Sequence, residues 1–381
     1  MLTLALPLGN TFGWGICGKY LSRELSRLSP ALLVTEPFDA QSVGDELEYS
    51  ELERLYVDRG SPEFPRLEIA ESSVLQAVTG LDLLPMAPDI HGRRNVGYTF
   101  FESSIVPAAS LENARRHFDV VAAGSSWCEQ ILRQHGIERT AAIFQGVDAA
   151  IFNACENRKT FFEDSFVVFS GGKFEFRKGQ DLVIRAFQVL QERHADVVLV
   201  NAWFNHWEAS LRSMAASPHI DFAYQGGEHC AAINRLLSAN GVDLAGVVTL
   251  AAKPQIAMAR IYKNSDCGLF PNRCEGGTNL ALMEYMACGK PAIVSNSSGH
   301  RDVANDGNAL LLKDLSPLPV SINGQLATVW DEPSLDEMIE ALEWAYQHRE
   351  ALRDIGDAAG VSMRGYSWSA AAAQFLPLLE G

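Results

Sequence analysis

The sequence predicts an α/β protein in which two parallel sheets are each covered by helices on both faces. Apolar runs of a few residues alternate along the chain with longer amphipathic segments. That alternation is typical of parallel strands joined by crossover helices. It occurs in the first part of the chain and again, more clearly, in the second. A length of 381 residues also suits two domains of roughly 150–200 residues each.

Individual strands can be predicted from these apolar runs. In the first half, residues 2–8, 118–125 and 141–148 predict strands, and Ser125 or Ser126 is placed to cap the helix that follows the second run. The aperiodic stretch after the third run is interpreted as the crossing between domains. In the second half, strands are predicted at 165–172, 195–203, 246–250, 266–270 and 290–295.

The charge of the chain limits its partners. The formal net charge is −16, and the acidic excess is spread over both halves. Nucleic acid is not expected as a partner, because phosphate backbones need clustered lysine and arginine. Broad electrostatic attachment to anionic lipid is disfavoured for the same reason. A local basic pocket for a small anion stays open, and so does peripheral membrane contact.

Cysteine usage and hydropathy indicate a cytoplasmic protein. The seven cysteines include no C-x-x-C pair, so neither a disulfide framework nor a zinc knuckle is predicted. The apolar start lacks the basic leader of a signal peptide. No run approaches the 18 or so apolar residues of a membrane span, so no transmembrane segment is expected.

The stretch FPNRCEGGTNLALMEYMACGKPAIV, residues 270–294, places a glycine pair between two glutamates at the start of a predicted helix. The preceding strand is predicted to end at Phe270, so the loop lies at the carboxyl edge of the sheet, where parallel sheets bind ligands. Backbone amides in this loop can point at an anion, supported by the helix dipole. The candidate residues for that contact are Gly276, Gly277, Thr278 and Asn279.

The two carboxylates of the stretch, Glu275 and Glu284, suit hydroxyl groups rather than an anion. Beside a phosphate site, a carboxylate can accept hydrogen bonds from the hydroxyls of a sugar or a ribose. A simpler alternative is that the glycines form a turn, Thr278 caps the helix and both glutamates are merely solvated.

A second glycine turn lies at the end of the strand predicted at 165–172. Gly172 is followed by Lys173, and Arg177, Lys178 and Gly179 open the next helix. Glycines let backbone approach a ligand, and a helix start with two lysines suits a diphosphate. The alternative is that these lysines are only solvated. A third glycine-led turn, at 299–312, follows the last predicted strand and could be an ordinary loop.

These three segments resemble the nucleotide-sugar-binding half of family 4 glycosyltransferases, which have the GT-B fold. The matching text is GKFEFRKG, EGGTNLALMEYMACGKPAI and GHRDVANDGNALLL, and MACGKPAIVS is its most specific part. The first half resembles the family more loosely, in GYTFFESSIVP, FDVVAAGSSW and FQGVDAAIF. The resemblance covers most of the chain and is strongest from about residue 165 to 312.

Three departures from the family pattern stand out. Lys173 replaces an arginine, which keeps the charge but loses the fork that grips two oxygens. Asp302 replaces a glutamate in the third segment. The two glutamates are separated by eight residues rather than seven, so Glu275 matches the first family glutamate only if the loop absorbs the extra residue. We expect the loop to do so, because two glycines in the first turn of a helix would cost about 1 kcal/mol each.

The resemblance implies two Rossmann-like parallel-sheet domains that face each other across a cleft. Residues 1–155 are then the acceptor-side domain, and residues 156–350 the nucleotide-sugar-binding domain. The end of the chain predicts two or three helices, and residues 351–381 are expected to pack back on the first domain.

The implied reaction is the transfer of a sugar, with retention of configuration, from a nucleoside diphosphate sugar. The implied acceptor is a hydroxyl of a glycan, a lipid-linked molecule or a small molecule, and no metal or other cofactor is required. Glu284 would accept the ribose hydroxyls and Glu275 those of the donor sugar. Lys173 and Lys178 would hold the diphosphate beside the loop amides and Gly172.

The first domain would supply Gly15, near the phosphates, and an acceptor-side residue. Gly15 could instead belong to a tight turn with Trp14 in the core. Glu102 and His91 are the two candidates for the acceptor side, and either could be an ordinary loop residue. The nucleobase is expected near TLAAKPQIAM, residues 249–258, where backbone groups dominate.

Two other functions remain open. The chain could be another GT-B nucleotide-sugar enzyme, such as an epimerase, although a phosphorylase would need a lysine-bound cofactor site that the sequence does not suggest. It could also be a non-catalytic two-domain sugar- or nucleotide-binding protein. The unpaired cysteines and the missing signal peptide disfavour a periplasmic receptor of that kind.

Overall fold

The computed structural model describes residues 1–61, 64, 69–205, 207–224, 226–322 and 324–381. Within these ranges, the strands form two parallel six-stranded sheets and one antiparallel hairpin. The predicted α/β class, with two parallel sheets, is therefore confirmed. No helix in the described ranges is long and apolar enough to cross a membrane.

The first sheet has the strand order β2-β1-β3-β4-β5-β6. Its register places Leu4 beside both Leu33 and Leu75, so the centre of the sheet is aliphatic. The strand predicted at residues 141–148 is observed only as Thr140–Ala142. Further along, the Val147 amide donates to the carbonyl of Tyr366 rather than to the sheet. The strands are β1 Leu2–Ala5, β2 Ala31–Leu33, β3 Ser73–Ala77, β4 Arg94–Thr99, β5 Val120–Ala123 and β6 Thr140–Ala142.

The second sheet has the order β12-β11-β10-β7-β8-β9. All five strands predicted for this half are present, and β12 is an addition. The order reverses between β7 and β10, which makes the carboxyl ends of these two strands a topological switch point, the usual ligand site of such sheets. The strands are β7 Phe166–Gly172, β8 Val197–Trp203, β9 Val247–Thr249, β10 Cys267–Phe270, β11 Ala292–Ser295 and β12 Leu310–Leu312.

Helices cover both sheets. The last three elements of the chain are helices, in agreement with the two or three helices predicted for this region. Ser125, rather than Ser126, caps its helix by accepting the Cys128 amide at 3.1 Å. The helices are α1 Gly13–Leu28, α2 Ala40–Val43, α3 Glu46–Glu53, α4 Ala108–His117, α5 Ser126–Gln134, α6 Gln180–Arg193, α7 Glu208–Arg212, α8 His229–Ala239, α9 Gln255–Lys263, α10 Leu280–Ala287, α11 Leu335–Gln347, α12 Arg349–Met363 and α13 Trp368–Glu380.

The last helix, α13, lies on the first sheet. Its residues Trp368 and Phe375 are buried in one cluster with Leu4 and Tyr98. The indole of Trp368 stacks on the ring of Tyr20 in α1, with 5.2 Å between centroids and 6° between planes. The chain therefore passes between the two domains twice, once between β6 and β7 and once between α12 and α13.

The hairpin was not predicted from the sequence. Its strands are β13 Leu315–Ile322 and β14 Gln325–Pro333. Pro317 and Pro319 interrupt the first strand, and proline is tolerated in strands mainly at edges, so the run does not look like a strand in the sequence. The hairpin projects from the second domain and contacts the loop after β4. There the Trp330 indole donates to the carbonyl of Glu102 at 2.7 Å.

Candidate active site

The predicted glycine turns lie side by side at the switch point of the second sheet. The first follows β7, and the second, which we call the donor loop, comprises residues 271–279 between β10 and α10. The Arg273 amide donates to the carbonyl of Arg177 at 2.8 Å, which joins the two turns. Because β7 and β10 are parallel neighbours, both turns leave the sheet at the same edge.

A cluster of buried charges occupies the junction of the two turns. The Lys178 ammonium lies 2.6 Å from Oε1 of Glu275, and the Arg177 guanidinium lies 3.3 Å from its Oε2. Arg177 also donates to the carbonyl of Cys274 at 2.7 Å and to Glu175 at 2.6 Å. Arg177 lies in the turn before α6 but was not predicted as a site residue.

The cations of the cluster set the ionisation of Glu275. Burial alone would raise the pKa of this carboxyl, but the charges of Lys178 and Arg177 lower it to about 2. Burial lowers the pKa of the Lys178 ammonium, and the attraction of Glu275 acts against that effect. Glu275 is thus held as a carboxylate, an acceptor for hydroxyl donors at any ordinary pH.

Three other predicted residues lie at the rim of the cluster. The Lys173 side chain is 42% exposed and lies 3.5 Å from Glu175, with its ammonium over the Trp207 ring. Glu102, from the loop after β4 of the first domain, approaches Arg177 to 3.5 Å. Gly172 ends β7 with φ +118°, and the Lys178 side chain crosses above it. In the described ranges, no group of three or more His, Cys, Asp or Glu side chains could hold a metal ion.

The donor loop contains the extra residue that separates the two glutamates. Helix α10 begins at Leu280, so Gly276 and Gly277 both lie outside it. Asn279, with φ +63°, is the N-cap, and its side chain makes no capping bond. The alternative in which Thr278 caps the helix is wrong, because its hydroxyl lies 2.9 Å from the Met283 sulfur instead.

A short turn after β11 supports the donor loop from below. The Ser298 hydroxyl accepts the Glu275 amide at 2.6 Å, and the Gly299 amide donates to the Glu275 carbonyl at 3.1 Å. His300 is buried between Ser295 and Asn279, whose side-chain nitrogen lies 3.0 Å from Nε2. Burial lowers the pKa of His300 to about 4, so the ring is neutral at pH 7. The third glycine-led turn is therefore part of the site.

The first domain covers the donor loop. A Cβ on Gly276 would lie 2.4 Å from the Phe101 carbonyl oxygen, so only glycine fits this approach of two backbones. The Ser125 hydroxyl, from the start of α5, donates to the Gly276 carbonyl at 2.8 Å. Asp302, which departs from the family pattern, accepts the Ser126 amide at 2.9 Å. Its carboxylate thus binds the N-terminus of a helix in the other domain.

Glu284 lies on α10 and is 5% exposed. Its Oε1 accepts a hydrogen bond from the Gln255 amide at 2.6 Å, and its Oε2 lies 3.3 Å from the Tyr262 hydroxyl. Burial raises the pKa of Glu284 to about 7, although both hydrogen bonds act in the opposite direction. The two glutamates of the motif therefore have oppositely shifted pKa values.

Two first-domain candidates are placed differently from the expectation. Gly15 lies in the first turn of α1, and a Cβ there would lie 2.6 Å from the backbone of Gly9. Close packing of these two backbones therefore explains the glycine, and Trp14 is only half-buried against Phe100. His91 precedes β4 and stacks on His117 at 5.9 Å. Strand β4 separates it from Glu102, so His91 lies at the opposite edge of the sheet.

Arg273 is a functional-site residue that the sequence interpretation missed. It is fully buried, and its guanidinium donates twice to Asp181, at 2.8 Å each, and also to Glu332 of β14. It lies over the Phe176 ring at 3.8 Å. The Arg273 side chain therefore connects the donor loop to α6, to the turn between β7 and α6, and to the hairpin.

Comparisons with known proteins fit this arrangement. Residues 165–322 match the family model of Glycosyl transferases group 1. The chain is 24% identical over 319 residues to the D-inositol 3-phosphate glycosyltransferase of Paenarthrobacter aurescens (strain TC1), an alignment that covers 78% of this chain and 69% of that protein.

Two solved structures resemble the whole chain. Sucrose-phosphate synthase from Thermosynechococcus elongatus is 14% identical, with a TM-score of 0.68 over 100% of this chain and 98% of its own. HepE from Anabaena, in complex with UDP-glucose, is 15% identical, with a TM-score of 0.64 over 100% and 99%. The fold is GT-B. In this GT-B structure, the segment that matches the group 1 family contains both turns, the donor loop and α10.

Replacing Arg273 by methionine is expected to destabilise the protein strongly. Asp181 is fully buried, and removal of one partner from a buried ion pair typically costs about 3–5 kcal/mol. Urea unfolding followed by circular dichroism measures this loss. Arg212→Met, which removes an exposed helical pair with Glu208, is the control and should leave the unfolding midpoint unchanged. Equal midpoints for the two variants would contradict the anchoring role.

Stability is expected to fall as the pH rises through the range in which Glu284 ionises. Its folded-state pKa, about 7, lies above the ordinary value of 4.5, so the native state retains a proton that the unfolded chain has lost. The free energy of unfolding should therefore decline between about pH 4.5 and 7, and Glu284→Gln should remove that part of the decline. Glu340→Gln, on the exposed side of α11, should keep it. A wild-type slope in Glu284→Gln would refute the assignment.

Proposed function

We propose that this protein is a retaining glycosyltransferase that moves a sugar from a nucleoside diphosphate sugar to a hydroxyl acceptor. The observation that carries the proposal is the contact between Lys178 and Glu275 at the switch point, 2.6 Å apart. A cation for phosphate and a permanently ionised acceptor for hydroxyls meet there, beside the start of α10. The match of residues 165–322 to group 1 glycosyl transferases supports the same conclusion.

In this proposal, Lys178 and the donor loop receive the diphosphate. Within the described ranges, the amides of Gly276, Gly277 and Thr278 donate no hydrogen bond to the protein, so they are available to phosphate oxygens. As the glycosidic bond breaks, the leaving diphosphate gains negative charge, which preorganised cations and amides stabilise. Lys173 adds charge from the rim, where it is held by Glu175.

The two glutamates divide the hydroxyl groups of the donor between them. Glu275, fixed by Lys178 and Asn272, accepts hydroxyls of the transferred sugar. Glu284 accepts those of the ribose. A carboxylate has about four lone-pair sites, and the protein uses one on each oxygen of Glu284, so two acceptor positions remain for two neighbouring hydroxyls.

The acceptor enters from the side of the first domain in this proposal. Glu102 reaches the charge cluster through Arg177, while its backbone is held by Trp330 of the hairpin. The acceptor is a hydroxyl of a glycan, a lipid-linked molecule or a small molecule, and the reaction is placed in the cytoplasm. Because Phe101 contacts Gly276 in this structure, we expect the domains to separate when the donor enters and leaves.

Release of nucleoside diphosphate from a nucleotide sugar, dependent on an added acceptor, tests the activity. The assay uses a panel of nucleotide sugars and hydroxyl acceptors, and the anomeric configuration of the product reports retention. A non-catalytic binding protein would bind a donor but release no diphosphate. An epimerase would alter the sugar without releasing the nucleotide.

Lys178→Ala is expected to lower kcat by about 100-fold and to change the donor KM less. The charge that Lys178 meets grows in the transition state, so its loss affects turnover more than ground-state binding. Lys178→Arg should recover part of the rate, and Lys313→Ala, at an exposed ion pair, serves as the control. A raised donor KM with unchanged kcat would contradict this role.

Activity is expected to survive removal of divalent cations. Lys178 and the donor-loop amides supply the stabilisation that a metal would otherwise give to the diphosphate in this proposal. The measurement is diphosphate release after dialysis against EDTA, with and without added magnesium. Loss of activity that magnesium restores would refute a metal-free mechanism.

A further inference from the structure

A chain of hydrogen bonds runs from the first domain across the cleft to Glu284. It begins at Tyr20 of α1, whose single hydroxyl proton is shared between two acceptors, Asp148 at 2.9 Å and Oε1 of Gln255 at 3.3 Å. The side-chain nitrogen of Gln255 then donates to Oε1 of Glu284 at 2.6 Å. Tyr20 and Gln255 were not predicted as site residues.

The members of this chain are buried and well fixed. Tyr20 is 3% exposed and Gln255 is 5% exposed. The Tyr20 ring is held by its stack on Trp368, and Gln255 is the first residue of α9. Buried polar groups arranged in a chain strengthen one another and restrict each other's orientation.

The amide of Gln255 has a defined orientation because its two ends face different groups. Its oxygen can only accept, and it faces the Tyr20 hydroxyl. Its nitrogen can only donate, and it faces the Glu284 carboxylate. Rotation of the amide by half a turn would place its oxygen against the carboxylate and remove an acceptor from the proton that Tyr20 shares between Asp148 and Gln255. Glu284 and Tyr20 therefore favour the same orientation of the amide, which suits an ionised Glu284.

We propose that Tyr20 and Gln255 are positioning residues for ribose recognition: Tyr20 orients the Gln255 amide, which orients the Glu284 carboxylate toward the ribose hydroxyls. The inference rests on the proposed function, in which Glu284 binds the ribose. Tyr20 belongs to the first domain, while Gln255 and Glu284 belong to the second. The ribose site is therefore complete only when the two domains are together.

Charged and titratable groups from several elements face Glu284. Tyr262 of α9 contacts it directly, Lys19 of α1 attracts it, and Asp148 repels it. Tyr20 lies beyond Gln255, and burial and the neighbouring carboxylates raise the pKa of its phenol. The hydrogen bond from Gln255 favours the carboxylate form of Glu284 and so lowers its pKa. Loss of this hydrogen bond should raise that pKa, and nucleotide binding should then weaken at a higher pH than in the wild-type protein.

The test compares the affinity for a ribonucleoside diphosphate with that for its 2′-deoxy analogue, by isothermal titration calorimetry on the full chain. The wild-type protein should prefer the ribonucleotide. Tyr20→Phe keeps the stack on Trp368 and removes only the hydroxyl. Gln255→Leu removes the amide. In Gln255→Leu the preference should fall by about tenfold, as expected for a lost hydrogen bond to a charged group, and the pH profile of binding should shift upward. In Tyr20→Phe, which leaves the amide in place but removes the donor to its oxygen, the preference should fall by a smaller factor.

Tyr98→Phe is the matched control, because its buried hydroxyl, in the same core as Tyr20, donates to the backbone of Ile143. It should keep the wild-type preference and pH profile, and unfolding temperatures verify that each variant is folded. A wild-type preference in folded Tyr20→Phe and Gln255→Leu would overturn the positioning role alone. Failure of the wild-type protein to bind any nucleoside diphosphate, or to prefer ribose, would overturn the proposed function and this inference with it.

Discussion

The buried ion pair between Arg273 and Asp181 is the interaction on which the site depends. The donor loop has no regular structure of its own, yet it must hold Glu275 against Lys178. Arg273 supplies the fixed point, because its guanidinium reaches α6, the turn after β7 and the hairpin together. A desolvated guanidinium persists only when carboxylates surround it. Asp181 and Glu332 do so here. Burial raises the pKa of Glu332, but the hydrogen bonds and charges of His219 and Arg273 outweigh burial and lower that pKa to about 2. The charged hydrogen bonds of Arg273 to Asp181 and Glu332 offset the cost of burying these groups and hold the donor loop in place.

The domain interface extends from the same loop. Ser125 and Cys128 both direct their side chains at the Gly276 carbonyl, and Asp302 binds the start of α5 in return. The substitution of aspartate at position 302 therefore has a structural reason, since the carboxylate complements the amides and dipole of a helix N-terminus. The hairpin adds contacts from Thr328 to Ser104. The shape of the donor loop therefore contributes to the domain interface, because the contacts of Ser125 and Cys128 end on that loop.

The sequence predicts the local features well. Strands that end at Gly172 and Phe270 place both turns at one sheet edge, and the apolar runs and the helical patterns that predict these elements need no tertiary information. The hairpin could not be predicted, because its prolines hide the strand pattern. The importance of Arg273 and Tyr20 could not be predicted either, and Gln255 lies in the segment expected near the nucleobase without being singled out. Each contacts residues far away in sequence, such as Tyr20 with Gln255, and no spacing within the chain reports such a contact. Gly15 and His91 were named from the loosely matching first half of the chain, and the structure places them differently from the expectation. A loose motif match identifies a region of the fold but not the positions of its side chains.

The opposite pKa shifts of Glu275 and Glu284 follow from their surroundings and separate their properties. Glu275 has two cations within about a hydrogen bond's length, and these outweigh its burial. Among the residues that the structure describes, the direct partners of Glu284 are an amide and a phenol, and neutral donors compensate burial less than charges do. Glu275, to which we assign the sugar hydroxyls, is then ionised throughout the physiological range, whereas Glu284, to which we assign the ribose hydroxyls, titrates near neutrality. Any dependence of donor affinity on pH around 7 should accordingly arise at the nucleoside end of the donor, where we propose that Gln255 orients Glu284 and that Tyr20 reaches Gln255 from the first domain.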